Sequence, residues 1–213
     1  RYSGLWTFSK GNDEYAVIGT TEGAAFLQLM ENNELLFIDS IEGNYASSQA
    51  ITREYKRYQN YIYAIGDEGD ASLQIIDISY LPDSVTLANE VQDERVGKAH
   101  TIHIDSVNAL LYLCSVTPIV NGQALGLVPL RVFSLDNPLE PVLLWEGFED
   151  LAEVHDMELR DQIAILNCGF DGIRVYDFST PAAPIYLSNL EFYQNQGYNH
   201  QGSLSPDMST YVF

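Results

Sequence analysis

The chain has 213 residues, 30 acidic against 10 basic, and a formal net charge of −20. That balance excludes a phosphate-tracking nucleic-acid binder, which needs positive charge along its contact surface. The length suits one sizeable domain, the longest apolar runs are strand-sized rather than membrane-spanning, and the two cysteines form no CxxC pair that would point to a thiolate metal or redox centre.

Taken in chain order, the sequence falls into units with a shared grammar. The first, over 1–48, reads Ser3-Gly-Leu-Trp6, Tyr15-Ala-Val-Ile18, Ala25-Phe-Leu-Gln28-Leu29 and Leu35-Leu-Phe-Ile38, four short apolar runs. The second, over 49–96, opens at Arg53, continues through the apolar, aromatic Tyr61-Ile-Tyr-Ala-Ile65, and reaches the alternating Leu73-Gln-Ile-Ile-Asp77-Ile-Ser79. The third, over 97–150, opens at His100, with 110–116 as its apolar run and Leu130-Arg-Val-Phe-Ser134-Leu-Asp136 alternating. The fourth, over 151–196, opens at His155, with 163–169 and Ile173-Arg-Val-Tyr-Asp177-Phe-Ser179. A partial fifth, over 197–213, opens at His200 and ends in a strand-like 209–213.

The period is about 45–55 residues, and short strands fill it, which points to propeller blades rather than a helical solenoid. Each unit supplies strands A to D. Strand B is apolar at consecutive positions and so belongs in the middle of a blade with neighbours on both faces. Strand C alternates, which predicts one face less completely covered. Asp, Ser and Asn side chains around its end bond nearby amides and start the turn. Prolines bracket the turn into strand D at Pro138/Pro141 and Pro181/Pro184, where a missing donor and a fixed φ stop the ladder. The predicted fold is all-β, a propeller of four-stranded antiparallel blades with about four and a half present and seven when complete. The last unit stops after strand B, so the sequence is expected to be a piece of a longer chain. A β-sandwich does not account for the returning Arg/His slot.

That slot is the main candidate site. Strand A of a propeller lines the central channel, so Arg53, His100, His155 and His200 are expected as a ring at the channel mouth. Three roles compete for it. The side chains stitch adjacent blades by bonding the backbone; or His100, His155 and His200 hold a transition metal, neutral imidazole being a common zinc and copper ligand; or, with Arg53, they bind an anionic or polar small ligand. His103, three positions after His100, is expected on the opposite face of its strand, and Glu54, Asp156 and Gln201 are likewise expected to face away from the slot. A second candidate is calcium, held by oxygen ligands of the acidic loop Asp67-Glu68-Gly69-Asp70 or of the turn Asn12-Asp13-Glu14. Neither stretch has EF-hand spacing. Cys114 and Cys168 sit one blade apart; a bridge requires their strand ends to converge, and two small buried thiols are the other reading. No GxSxG, HExxH, Walker or GxGxxG pattern occurs, and no catalytic residue is nominated.

Four stretches, Tyr15-Ala-Val-Ile-Gly-Thr-Thr-Glu-Gly23, Gly97-Lys-Ala-His100, Val154-His-Asp156 and Tyr198-Asn-His-Gln-Gly202, together with the motif order, give the chain its likeness to known proteins. It resembles LVIVD-repeat β-propellers, and more closely the choice-of-anchor B family of bacterial surface proteins. The resemblance covers nearly the whole chain, with Glu68-Gly-Asp70 departing from a loop that is more glycine-rich in the family. It implies a secreted or cell-surface propeller whose membrane link is an anchor outside this sequence. It implies no established activity. The leading expectation is a non-catalytic binding or scaffold module for a protein or glycan partner at the cell surface. The alternatives are a metalloprotein or enzyme centred on the Arg/His slot, and a subunit of a larger extracellular assembly.

Overall fold

A computed structural model describes residues 2–45, 49–148 and 150–213. It is all-β, with no helix among the described residues. Four four-stranded antiparallel sheets follow one another along the chain, each a simple meander. The first is β1 (Tyr2–Lys10), β2 (Asp13–Thr20), β3 (Gly23–Leu29) and β4 (Leu35–Glu42). The second is β5 (Arg53–Tyr58), β6 (Tyr61–Gly66), β7 (Leu73–Asp77) and β8 (Thr86–Val91). The third begins with β9 (Thr101–Asp105) and β10 (Leu110–Val116). A small hairpin of β11 (Ile119–Val120) and β12 (Gln123–Ala124) interrupts it before β13 (Val128–Ser134) and β14 (Val142–Gly147). The fourth is β15 (Asp156–Arg160), β16 (Ile163–Asn167), β17 (Ile173–Asp177) and β18 (Ile185–Leu190), and a two-stranded pair, β19 (Ser203–Leu204) and β20 (Tyr211–Val212), ends the chain.

Consecutive sheets pack face to face, and the pleat explains how. In β6, Ile62 and Ala64 join a core with Tyr15, Val17 and Phe26 of the first sheet. The intervening Tyr63 and Ile65 point the other way, into a core with Ile102, Leu111 and Leu113 of the third. β10 repeats this: Leu111 and Leu113 face back, while Tyr112 and Cys114 face forward onto Met157, Ala164 and Leu166. A strand buried on both faces must be apolar at consecutive residues, which is the strand-B signature. Each large side chain so buried contributes about 1.5–3 kcal/mol. The first strands of the sheets also lie side by side, β1 against β5, β5 against β9 and β9 against β15.

The C–D pairing carries a repeated irregularity. The register shifts between Phe26/Leu27, Ile75/Ile76, Val132/Phe133 and Val175/Tyr176, so that Ile38, Ala88, Leu144 and Leu187 are each an extra residue in their strand. A β-bulge at the same place in each sheet bends and twists the outer strand and disfavours edge-to-edge pairing. The turns after strand C are started by Asp and Ser side chains, and the strands stop at Asp77, Ser134 and Asp177, two residues short of the sequence reading. Asp77 and Asp177 each accept from the amide two residues on at 2.7 Å, and Ser134 accepts from Asp136 at 3.0 Å.

Strand C departs from the expected half-covered strand. In the second and third sheets both of its faces are buried, and its polar members Gln74 and Arg131 are each only 6% exposed. They are ties to the preceding sheet and its outgoing connection. Gln74 donates to the carbonyl of Glu42 at 2.9 Å. Arg131 donates to the carbonyls of Glu94 (2.7 Å) and Arg95 and pairs with Glu146. The alternation in the sequence marks buried hydrogen-bonding groups rather than a wet face.

Candidate functional site

The first three slot residues lie where the first strand of a sheet begins and its second strand ends. Backbone pairing holds them there: Arg53 is opposite Gly66, His100 donates its amide to Cys114, and His155 to Asn167. His200 is held differently: Asn199, just before it, donates to Gly169, past the end of β16 in the preceding sheet, as Ala99 before His100 donates to Gly66. Only Arg53 is itself the first residue of its strand. His100 and His155 precede β9 and β15 by one residue, and His200 precedes β19 by three.

Arg53 is buried, 8% exposed, and faces the first sheet. Its Nε donates to the carbonyl of Thr20 at 2.9 Å and its Nη2 to that of Tyr45 at 2.7 Å. No contact among the described residues joins it to the imidazoles. The three histidines do meet. His100 and His155 have ring centroids 4.3 Å apart, and His155 and His200 4.1 Å. They form a row, edge to face and tilted, with Tyr198 edge-on to His155 at 5.2 Å. Tyr198 donates its hydroxyl to Glu153, and its ring meets that of Phe170 at 5.1 Å.

Hydrogen bonds fix two of the imidazoles. His100 Nδ1 lies 2.6 Å from Oδ2 of Asp67, in the loop after β6 of the second sheet. That bond and the carboxylate's charge raise the His100 pKa against the opposing effect of burial. For Asp67, burial is the largest effect and works the other way, but the bond to His100, that ring's charge and the bonds from Thr52 and Glu68 together outweigh it, and the carboxyl sits below its ordinary value. His155 Nδ1 lies 2.8 Å from the carbonyl oxygen of His200. Burial, followed by the neighbouring His100, lowers the His155 pKa. Adjacent imidazoles are thus biased in opposite directions, His100 toward the cation and His155 toward the neutral ring.

The calcium candidates make other contacts. Asp67 is taken up by His100, Glu68 accepts from the amide of Ile51 at 3.2 Å, and the carbonyl of Asp70 accepts from Asn44 and Gln92. In the other acidic turn, Asp13 accepts from Gln28 at 3.2 Å. Among the described residues no group of three or more His, Cys, Asp or Glu side chains is placed so that it could hold a metal ion, the three slot histidines included. Cys114 and Cys168 are both free and buried, and burial pushes the Cys168 thiol up to about 12.

A second polar group, which the sequence did not single out as a cluster, lines the other face of the first strands. His103 Nε2 lies 2.8 Å from Asp156 Oδ1, joining β9 to β15. Glu54 accepts from the amide of Ile102 at 3.2 Å, joining β5 to β9. Lys56 sits over the Trp6 ring, 4.2 Å from its centroid, joining β5 to β1. Burial raises the Glu54 pKa and lowers that of Lys56. Glu54, His103 and Asp156 take the side opposite the slot, as period-two alternation requires.

No family model and no curated protein matches the chain. The likeness to LVIVD-repeat proteins therefore stands on the quoted residues. Sequence reasoning offered Asp67 as an alternative calcium ligand, did not pair it with His100, and passed over Glu153. The available signal was position: Asp67 follows Gly66, the partner of Arg53, at the end of the sheets where the next slot residue arrives.

Proposed function

We propose that the four sheets are blades of a β-propeller of the LVIVD-repeat, choice-of-anchor B type, displayed outside the cell. Its role is non-catalytic: it binds a protein or glycan partner through the sheet ends that carry the slot. Three features support the propeller. Sheets stack in chain order, their first strands lie side by side, and one bulge recurs in each.

The binding role rests on one observation. Beside the histidine row lies an exposed aromatic and carboxylate patch: Phe170, 75% exposed, packed edge-on to Tyr198, whose hydroxyl is bonded to Glu153. Gln196 holds the Phe170 carbonyl at 3.2 Å, so the ring is presented from an anchored loop. Rigid aromatic side chains beside a hydrogen-bonding group suit both sugar faces and protein hot spots. By contrast, the polar atoms of Arg53 are spent on ties between sheets.

The test is binding of the labelled chain to intact bacterial cells and to isolated cell-surface polysaccharide. Phe170→Ala and Tyr198→Ala are expected to weaken it at least tenfold, a loss of about 1.4 kcal/mol. Tyr80→Ala, at an exposed position in the turn after β7, is the control. Equal binding by all three variants and the parent overturns the assignment of the surface.

A further inference from the structure

The patch around Phe170 is held rigid by hydrogen bonds, and the polar atoms it leaves open are of one kind. Phe170 sits in a tight turn: the Asp171 amide donates to the carbonyl of Cys168, and the Cys168 amide to that of Gly172, both at 2.9 Å. Gly169, at φ +55°, has no room for a side chain, since a Cβ there would stand 2.6 Å from Oε1 of Glu153 and 2.9 Å from Cε2 of Tyr198. The Gly169 carbonyl accepts from the amide and the side chain of buried Asn199, at 2.9 and 3.0 Å, which pins the loop carrying Tyr198 to the turn carrying Phe170. Three nearby donors are already committed. The Tyr198 hydroxyl goes to Glu153, the Gln196 side chain to the Phe170 carbonyl, and the Ala152 amide to Oδ2 of Asp171. Two acceptors are not: Oε2 of Glu153 and Oδ1 of Asp171 bond no described residue.

Charge points the same way. Arg174 pairs with Asp150 at 2.7 Å and His100 with Asp67 at 2.6 Å, whereas Glu153 and Asp171 have no cationic partner among the described residues. A single exposed ring on a surface is ordinary. A ring held beside free carboxylate oxygens, and nearly perpendicular to a second ring, is a receptor for a group that donates without accepting. A sugar hydroxyl does both and gains only half of its bonds from such a surface. A guanidinium has five N–H donors and no acceptor, stays charged, and stacks on aromatic faces. We infer that Phe170, Tyr198, Glu153 and Asp171 bind the guanidinium of an arginine, and that the partner is a protein presenting a basic segment rather than a glycan. The cation lies over the open face of Phe170 and donates to Oε2 of Glu153. The net charge of −20 draws such a segment in. This inference rests on the surface reading above and narrows its partner.

The experiment is titration of the chain into a fluorescently labelled, capped arginine–glycine peptide, read by anisotropy, with a glutamate–glycine peptide and a labelled neutral glucan alongside. The arginine peptide is expected to bind with a Kd below about 1 mM, and the other two are not. Phe170→Leu keeps an apolar side chain but removes the ring face, and should weaken binding about two- to fivefold. Glu153→Gln keeps an oxygen for the Tyr198 hydroxyl and should weaken it about threefold or more. Both positions lie outside the strands, and should one variant melt below the parent the other carries the test. Glu31→Gln removes the same charge from the turn between β3 and β4 and should leave the affinity unchanged. A Glu31→Gln loss equal to that of Glu153→Gln would mean that net charge alone attracts the peptide. That result, no binding of the arginine peptide, or glucan binding that depends on Phe170 overturns the inference. The two readings fail separately. Loss of cell binding in Phe170→Ala, without affinity for the arginine peptide, strikes the partner's chemistry and leaves the surface standing. Peptide binding through Phe170, with cell binding indifferent to Phe170→Ala, does the reverse.

Discussion

At the scale of single residues, the first strands carry two opposed polar faces, and Glu54 shows what that arrangement does. Its carboxylate is mostly buried between β5 and β9 and bonds the Ile102 amide, yet burial outweighs that bond and the nearby cations, so its pKa lies above the ordinary value. A carboxyl raised in the folded state holds its proton more tightly folded than unfolded. It therefore subtracts stability as pH rises through the unfolded value of about 4.3 and up to the folded one, and that penalty remains at higher pH. Glu54→Gln keeps a side-chain oxygen for the Ile102 amide and removes the titration. Chemical denaturation of parent and variant from pH 4 to 7 should show the difference moving in favour of the variant as pH rises. Lys56 stays cationic across that window and shifts only the offset. A difference flat with pH, or moving toward the parent, would contradict the burial argument.

At the scale of elements, the approach of β1 to β5 depends on one glycine. Gly4 sits at φ +53° in the bulge of β1, and a Cβ there would lie 1.9 Å from the carbonyl oxygen of Arg53. Gly4→Ala combines left-handed strain with a backbone clash, together about 2–4 kcal/mol. Gly11, at φ +64° with open space around it, separates the two effects. Gly11→Ala should cost only the strain, about 1–2 kcal/mol, when both variants are unfolded in urea. Equal losses would mean that the β1–β5 approach yields easily. Much of this architecture was legible in the sequence, because the physics that builds it acts on local pattern. Strand B had to be apolar at consecutive positions, and Asp and Ser side chains had to start the turns after strand C. The β11–β12 hairpin carried a signal that the sequence reading passed over: Asn121-Gly122, both at positive φ, sits between Ile119-Val120 and Gln123-Ala124. The repeated bulges did not show, because Ile38, Ala88, Leu144 and Leu187 share no residue type that marks an extra position. Nor did the partner of His100. Asp67 in an acidic loop looks like a solvated carboxylate until the next sheet brings an imidazole to it, and that is a fact of packing, not of spacing.

At the scale of the whole molecule, stacking and charge pull in opposite directions. The second and third sheets are covered on both faces. The first sheet keeps Trp6 and Phe8 against its neighbour but leaves Leu5, Leu29, Leu35 and Phe37 exposed on the other side. Every residue of β18 in the fourth sheet is exposed, Ile185, Leu187 and Leu190 among them. Apolar faces of this kind favour association, while a net charge of −20 holds copies apart. Salt decides between them, since the screening length falls from about 30 Å at 0.01 M to about 3 Å at 1 M. Sedimentation of the 213-residue chain should therefore show mass rising with sodium chloride, and Leu5→Glu with Phe37→Glu should suppress the rise. Association through ion pairs would weaken with salt instead. A mass constant across the whole range would mean that these faces are too small or too irregular to pair, and that repulsion is not what keeps the chains apart.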